Sequence, residues 1–161
     1  MNIRRILLPT DFSEAAEPAL DYAVGLARSF GAELVLFHAL EPLVFAGEGA
    51  VAFGSVMDQL ERAAQAQLQR RVDRLKARGL KARGLVGNGS TAKLISDTAV
   101  KLRIDLIVMG THGRGAFSRM LIGSVAEKVV RTAMCPVLTV RTGAGKTMTR
   151  RAKKRPARRR R

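Results

Sequence analysis

Apolar residues along this chain alternate between short continuous runs and helical spacing. Ile6-Leu7-Leu8 is a compact run ended by Pro9, which reads as a strand buried on both faces. Ala16, Leu20, Ala23, Val24 and Ala27 then recur every three or four residues, the mark of a helix with one apolar face. Ser13 is its expected cap, Glu14 and Glu17 suit its positive end, and Gly31 suits a left-handed stop. Residues 33–39 read as a second strand. Residues 41–54, with Pro42 and three glycines, read as a surface loop. Met57, Leu60, Ala64, Leu68, Val72 and Leu75 form the apolar face of a long helix expected to begin at Ser55 and end at Gly79.

The same alternation continues to the last apolar run. Residues 80–86 predict a weaker strand, and Ser90 caps a helix carrying Leu94, Ile95, Ala99 and Leu102. Leu106-Ile107-Val108-Met109 is a buried strand stopped by Gly110. A glycine-rich loop leads to a helix over about residues 124–133, and Val137-Leu138-Thr139-Val140 closes the pattern as a β-branched strand. Strands alternating with helices imply an α/β fold: an open, parallel, five-stranded sheet with helices on both faces. Ligands of such sheets bind beyond the carboxyl ends of the strands where strand order reverses. The loops after the first and fourth strands are therefore the places to look.

Composition narrows this picture. A length of 161 residues suits one domain, and the absence of Trp with a single Tyr calls for an aliphatic core. No apolar run approaches the roughly 18 residues of a spanning helix, and the early arginines are followed by Pro9 and Asp11 rather than by a signal peptide's apolar core. No membrane span is expected. Cys135 is the only cysteine, which excludes an internal disulfide and agrees with a cytoplasmic location. The formal net charge is +16, but residues 146–161 hold ten Lys or Arg and no acid, so most of the excess lies at the end of the chain. We expect a folded domain over residues 1–141 and a disordered basic tail over 142–161. That tail has no aromatic residue for base stacking, so any nucleic-acid association through it would be electrostatic and non-specific.

The residues with candidate chemistry fall in the expected loops. Gly110-Thr111-His112-Gly113-Arg114-Gly115 follows a buried strand directly, and glycines there let backbone N–H groups approach an anion. Gly123-Ser124 opens the next helix, where free N–H groups and the positive dipole end favour a phosphate. Arg114 and Arg119 would add positive charge. A tight turn and a plain helix cap explain the same residues without a ligand. His38 reads as a packed strand residue and Cys135 as an inert thiol. No metal-ligand spacing, nucleophile elbow or paired carboxylate is evident. Gly143-Ala144-Gly145-Lys146-Thr147 looks like the end of a P-loop, but Val140 stands where that motif needs its first glycine.

Gly110, Gly113 and Gly123-Ser124, separated by two and nine residues, resemble the glycine spacing of the nucleotide-binding branch of the universal stress protein family. Residues 6–13, Ile-Leu-Leu-Pro-Thr-Asp-Phe-Ser, resemble the family's first strand and turn. Residues 123–128 and Cys135-Pro136-Val137 resemble its last helix and strand. Ala116 departs from the pattern, since many relatives have a second glycine after Gly115. The resemblance implies a Rossmann-like, adenine nucleotide alpha hydrolase-like domain that binds ATP, with Mg accompanying the phosphates. It implies that Pro9, Thr10, Asp11 and Ala39 surround the adenosine. Met109, Gly110, His112, Gly113, Arg114, Gly123, Ser124 and Val125 would surround the ribose and phosphates. It further implies a homodimer in which Val137, Leu138, Thr139 and Val140 pair with their copies. The expected role is a dimeric regulatory module in the stress response. The alternatives are a slow ATP-hydrolysing or phosphate- or adenylyl-transferring enzyme, and a nucleic-acid-associating stress protein acting through its basic tail.

Overall fold

The computed structural model describes residues 2–41, 50–111 and 123–141. Five strands form one sheet: β1 (Arg5–Pro9), β2 (Glu33–Leu40), β3 (Ala82–Asn88), β4 (Leu106–Gly110) and β5 (Val137–Val140). Every pairing is parallel and the order is β3-β2-β1-β4-β5. The crossovers contain α1 (Glu17–Phe30), α2 (Ala50–Ala77), α3 (Thr91–Lys101) and α4 (Ser124–Thr132). From β1 the chain steps outward to β2 and β3, then returns to β1's other side for β4 and β5. Strand order therefore reverses between β1 and β4, and their carboxyl ends diverge there.

Successive strand residues point to opposite faces, and this splits the core in two. Ile6, Leu8, Leu34, Leu36 and Val108 face Ala19, Ala23, Val24 and Ala27 of α1 and Leu68, Val72 and Leu75 of α2. Leu7, Val35, Phe37, Ile107 and Met109 face Ala92, Ile95 and Ala99 of α3 and Ala126 and Val129 of α4. The central runs read as unbroken apolar stretches because both sides are covered. Small residues on α1 let that helix lie close to the sheet. Among the described residues, no helix is long and apolar enough to cross a membrane.

Three local expectations are corrected. The long helix begins at Ala50, not Ser55, so residues 50–54 are helical rather than loop. Its apolar face is only partly used: Ala64, Leu68, Val72 and Leu75 are buried, while Leu60 remains 46% exposed. The reason is length. Twenty-eight residues make about 42 Å of helix, whereas the seven residues of β3 span only about 23 Å, so the first turns of α2 extend past the sheet. The serine caps are the third correction. Neither Ser13 nor Ser90 makes a side-chain cap hydrogen bond. A short 3-10 turn, Glu14–Ala16, intervenes between Ser13 and α1. Gly31 does end α1 in the left-handed conformation, with φ 65°.

Candidate functional site

The divergence of β1 and β4 opens a cleft of about 560 Å³, within the usual range for a site holding a small organic ligand. Pro9, Thr10 and Asp11 enter it from the end of β1, Ala39 from β2, and Met109 and Gly110 from β4. Gly123, Ser124 and Val125 enter it from the start of α4. His112, Gly113 and Arg114 lie outside the described residues, as do Gly115, Arg119 and the tail. The cleft also takes Thr111, part of the glycine-rich loop, and Ala16, Phe37, His38, Thr91, Ile95 and Ala126, to which sequence reasoning gave no binding role. Apolar spacing identifies Ile95 as a helix-face residue, but the nearness of Ile95 and Ala126 to the cleft depends on the packing of α3 and α4.

The polar end is built at α4. Glu127 N–H donates to the Gly123 carbonyl at 3.0 Å, so the N–H groups of Ser124, Val125 and Ala126 are those that helical geometry leaves without an intrahelical acceptor. Among the described residues, no side chain caps this helix. Those N–H groups, with the positive end of the helix dipole, favour an anion. Gly123 N–H donates to the Thr111 carbonyl at 2.7 Å, and Thr111 N–H donates to the Val140 carbonyl at 2.9 Å. The first bond joins Thr111 to Gly123 at the helix start, and the second ties Thr111 to the end of β5.

Asp11 also lines the cleft, in a turn stabilised from several directions. Thr10 N–H donates to the Phe37 carbonyl at 2.8 Å, tying the turn to β2. Asp11 Oδ1 accepts from Ser13 N–H at 3.0 Å and from Ser13 Oγ at 2.6 Å, an Asx turn that orients the carboxylate. The Ser13 hydroxyl is thus spent on Asp11, which explains why it does not cap the helix. Phe12 N–H donates to Thr10 Oγ1 at 3.1 Å. Phe12 itself has φ 64°, a left-handed conformation that costs a non-glycine residue about 1–2 kcal/mol.

The Phe12 ring stacks on the His38 imidazole with centroids 4.5 Å apart. The Arg71 guanidinium stands 5.4 Å from the Phe12 centroid. Such contacts contribute about 0.5–1.5 kcal/mol for the ring pair and about 0.5–1 kcal/mol for the cation, enough to offset the backbone cost. His38 Nδ1 is 2.7 Å from the Thr10 carbonyl; a carbonyl only accepts, so Nδ1 carries the proton. His38 is therefore more than the packed strand residue that the sequence suggests, since it also holds the turn before Asp11.

A flat aromatic base suits the walls formed by Phe37, Ala39, Ile95 and Met109, and an anionic group suits the start of α4. Among the described residues, no group of three or more His, Cys, Asp or Glu is placed to hold a metal ion. Cys135 stands outside the cleft; burial, and then the charge of Asp105, push its thiol up, away from the reactive thiolate form.

A family model for the universal stress protein family matches residues 2–141. The chain is 32% identical over 139 residues to a universal stress protein of Methanocaldococcus jannaschii, covering 86% of this chain and 82% of that one. Among solved structures, the universal stress protein UspA from Lactobacillus plantarum aligns with a TM-score of 0.78 at 25% identity, covering 88% of this chain and 99% of that one. A universal stress protein in complex with cAMP aligns with a TM-score of 0.61 at 24% identity, covering 89% and 100%. At that identity the fold is what the two share.

Proposed function

This chain belongs to the universal stress protein family, and on that premise we propose that it is an ATP-binding regulatory module acting as a homodimer in the cytoplasm. The observation that carries the reading is the lining of one cleft: a turn-held carboxylate, Asp11, together with a helix start, Ser124 to Ala126, that no described side chain caps. Pro9, Thr10, Asp11 and Ala39 would take the adenosine. Met109, Gly110, Gly123, Ser124 and Val125 would face the ribose and phosphates, joined by His112, Gly113 and Arg114 of the intervening segment. Any Mg²⁺ would be held by phosphate oxygens and water rather than by a protein cage. A fold neighbour is a universal stress protein in complex with cAMP, which supports an adenine nucleotide as the class of ligand.

Dimerisation would use the outer edge of β5, which pairs with β4 on its inner side and leaves Leu138 and the adjoining Met134 exposed. An apolar sheet edge of this kind favours pairing with a second strand.

Mass spectrometry of ligand retained by the purified protein, followed by calorimetry with ATP, tests the reading. ATP should bind, and Gly113→Val, which would put a branched side chain where the proposed phosphate meets the backbone, should weaken it at least about tenfold with the fold intact. Equal affinity of folded wild type and variant would remove the phosphate-loop assignment. A single-turnover assay with labelled ATP separates the module from the enzyme: intact ATP is expected, and rapid cleavage would overturn the module.

A further inference from the structure

Phe12 occupies a backbone conformation that glycine adopts without cost, and its ring makes contacts that glycine lacks. The ring is partly buried against the core that α1 and α2 share with the sheet. It stacks on His38 on one side, while Arg71, ion-paired to Glu17 at 2.6 Å, approaches it from α2. The residues on either side of Asp11 are therefore both held from outside the turn: Thr10 through its carbonyl by His38, and Phe12 through its ring by His38 and Arg71. A carboxylate whose neighbours are fixed loses little freedom when a ligand engages it.

We propose that Phe12 is a positioning residue: clamped by His38 and Arg71, it holds the 10–13 turn so that Asp11 is pre-aimed at the nucleoside, and it thereby sets nucleotide affinity without touching the ligand. The part concerning affinity rests on the ATP reading above; the part concerning the turn does not. If the ring served only the stability of the domain, Phe12→Gly would lower the melting temperature and leave the turn and the site as they are. If the ring positions Asp11, Phe12→Gly loosens the turn even though it relieves the backbone.

Two measurements on the full chain decide this. The first needs no nucleotide: amide exchange at Ser13, whose N–H donates to Asp11 Oδ1, should quicken about tenfold in Phe12→Gly and stay near wild type in Phe12→Tyr, which keeps the stack. Unchanged exchange in Phe12→Gly overturns the proposal. The second is ATP affinity, expected to fall about tenfold in Phe12→Gly, but by less than about twofold when Asp11 is already Ala, because coupled residues are not additive. Equal losses in both backgrounds overturn the link to Asp11. Should Phe12→Gly fail to fold, Arg71→Met serves both measurements, with the same signs and smaller effects. A wild type that does not bind ATP would refute the proposed function and the affinity part together, while the exchange result would still decide whether Phe12 positions the turn.

Discussion

Glu41 reaches across fifty residues of sequence to accept the Thr91 N–H at 2.9 Å, supplying at the start of α3 the cap that Ser90 does not make. Hydrogen bonding to Thr91, chiefly its backbone N–H, holds the Glu41 carboxyl below the usual carboxylate range, because only the charged form is so well served. A group whose pKa is lowered on folding contributes stability that is complete above its unfolded value and is lost as pH falls through the lowered one. The site is well exposed, so the contribution is modest. Glu41→Ala should cost about 0.5 kcal/mol at pH 7, lowering Tm by about 1–2 °C, and the gap should close on acidification below about pH 4. Thermal melts of both proteins across that range check it; a gap that persists at pH 3 would show that the carboxylate is not the cause. The same residue marks a limit of sequence reading. Ser13 and Ser90 carry the side chain that caps helices, yet one is spent on Asp11 and the other is passed over for a carboxylate brought in by β2.

At the scale of elements, legibility followed burial. β1 and β4 are covered on both faces, so their runs Ile6-Leu7-Leu8 and Leu106-Ile107-Val108-Met109 stand out as apolar blocks, and the alternation around them implied the parallel sheet that is found. The start of α2 was not legible, because Pro42 and the three glycines of residues 41–54 are loop signals in sequence, and helix length alone carries the first turns past the sheet. The cleft shows the same division. Asp11, Gly110 and Gly123 announce themselves by residue type beside strand ends and helix starts, whereas the Arg71–Phe12–His38 stack joins three separate segments and has no signature along the chain. β5 supplies the prediction at this scale. Leu138 is 37% exposed on a strand that pairs with β4 alone among the described residues. In the proposed dimer, Leu138→Lys would bring two ammonium groups near the two-fold axis while leaving the β4–β5 ladder untouched. Light scattering should show the mass of a dimer for wild type at tens of micromolar and of a monomer for the variant. A monomeric wild type would remove this interface.

Across the whole molecule, charge is divided between the domain and the end of the chain. Residues 146–161 hold ten Lys or Arg and no acid, and they follow the carboxyl end of β5, the end of the sheet where the cleft opens. Two consequences compete. A segment so basic would raise affinity for the proposed nucleotide by attraction, yet at about 0.15 M salt charges more than about 8 Å apart are largely screened. Contacts made within the cleft therefore dominate, and a chain ending at Arg141 should keep its ATP affinity within about twofold at that salt, with its melting temperature unchanged. Nucleic acid is a different ligand, because its phosphates extend along the whole basic segment and each neutralised one releases counterions. Full-length protein should bind duplex DNA of unrelated sequences alike at low salt, with log affinity falling linearly in log salt, and the shortened chain should lose that binding. Fluorescence anisotropy across a salt series measures both slopes. Loss of ATP binding on truncation would put the tail inside the site, and a full-length protein indifferent to DNA at low salt would leave the segment without a polyanionic partner.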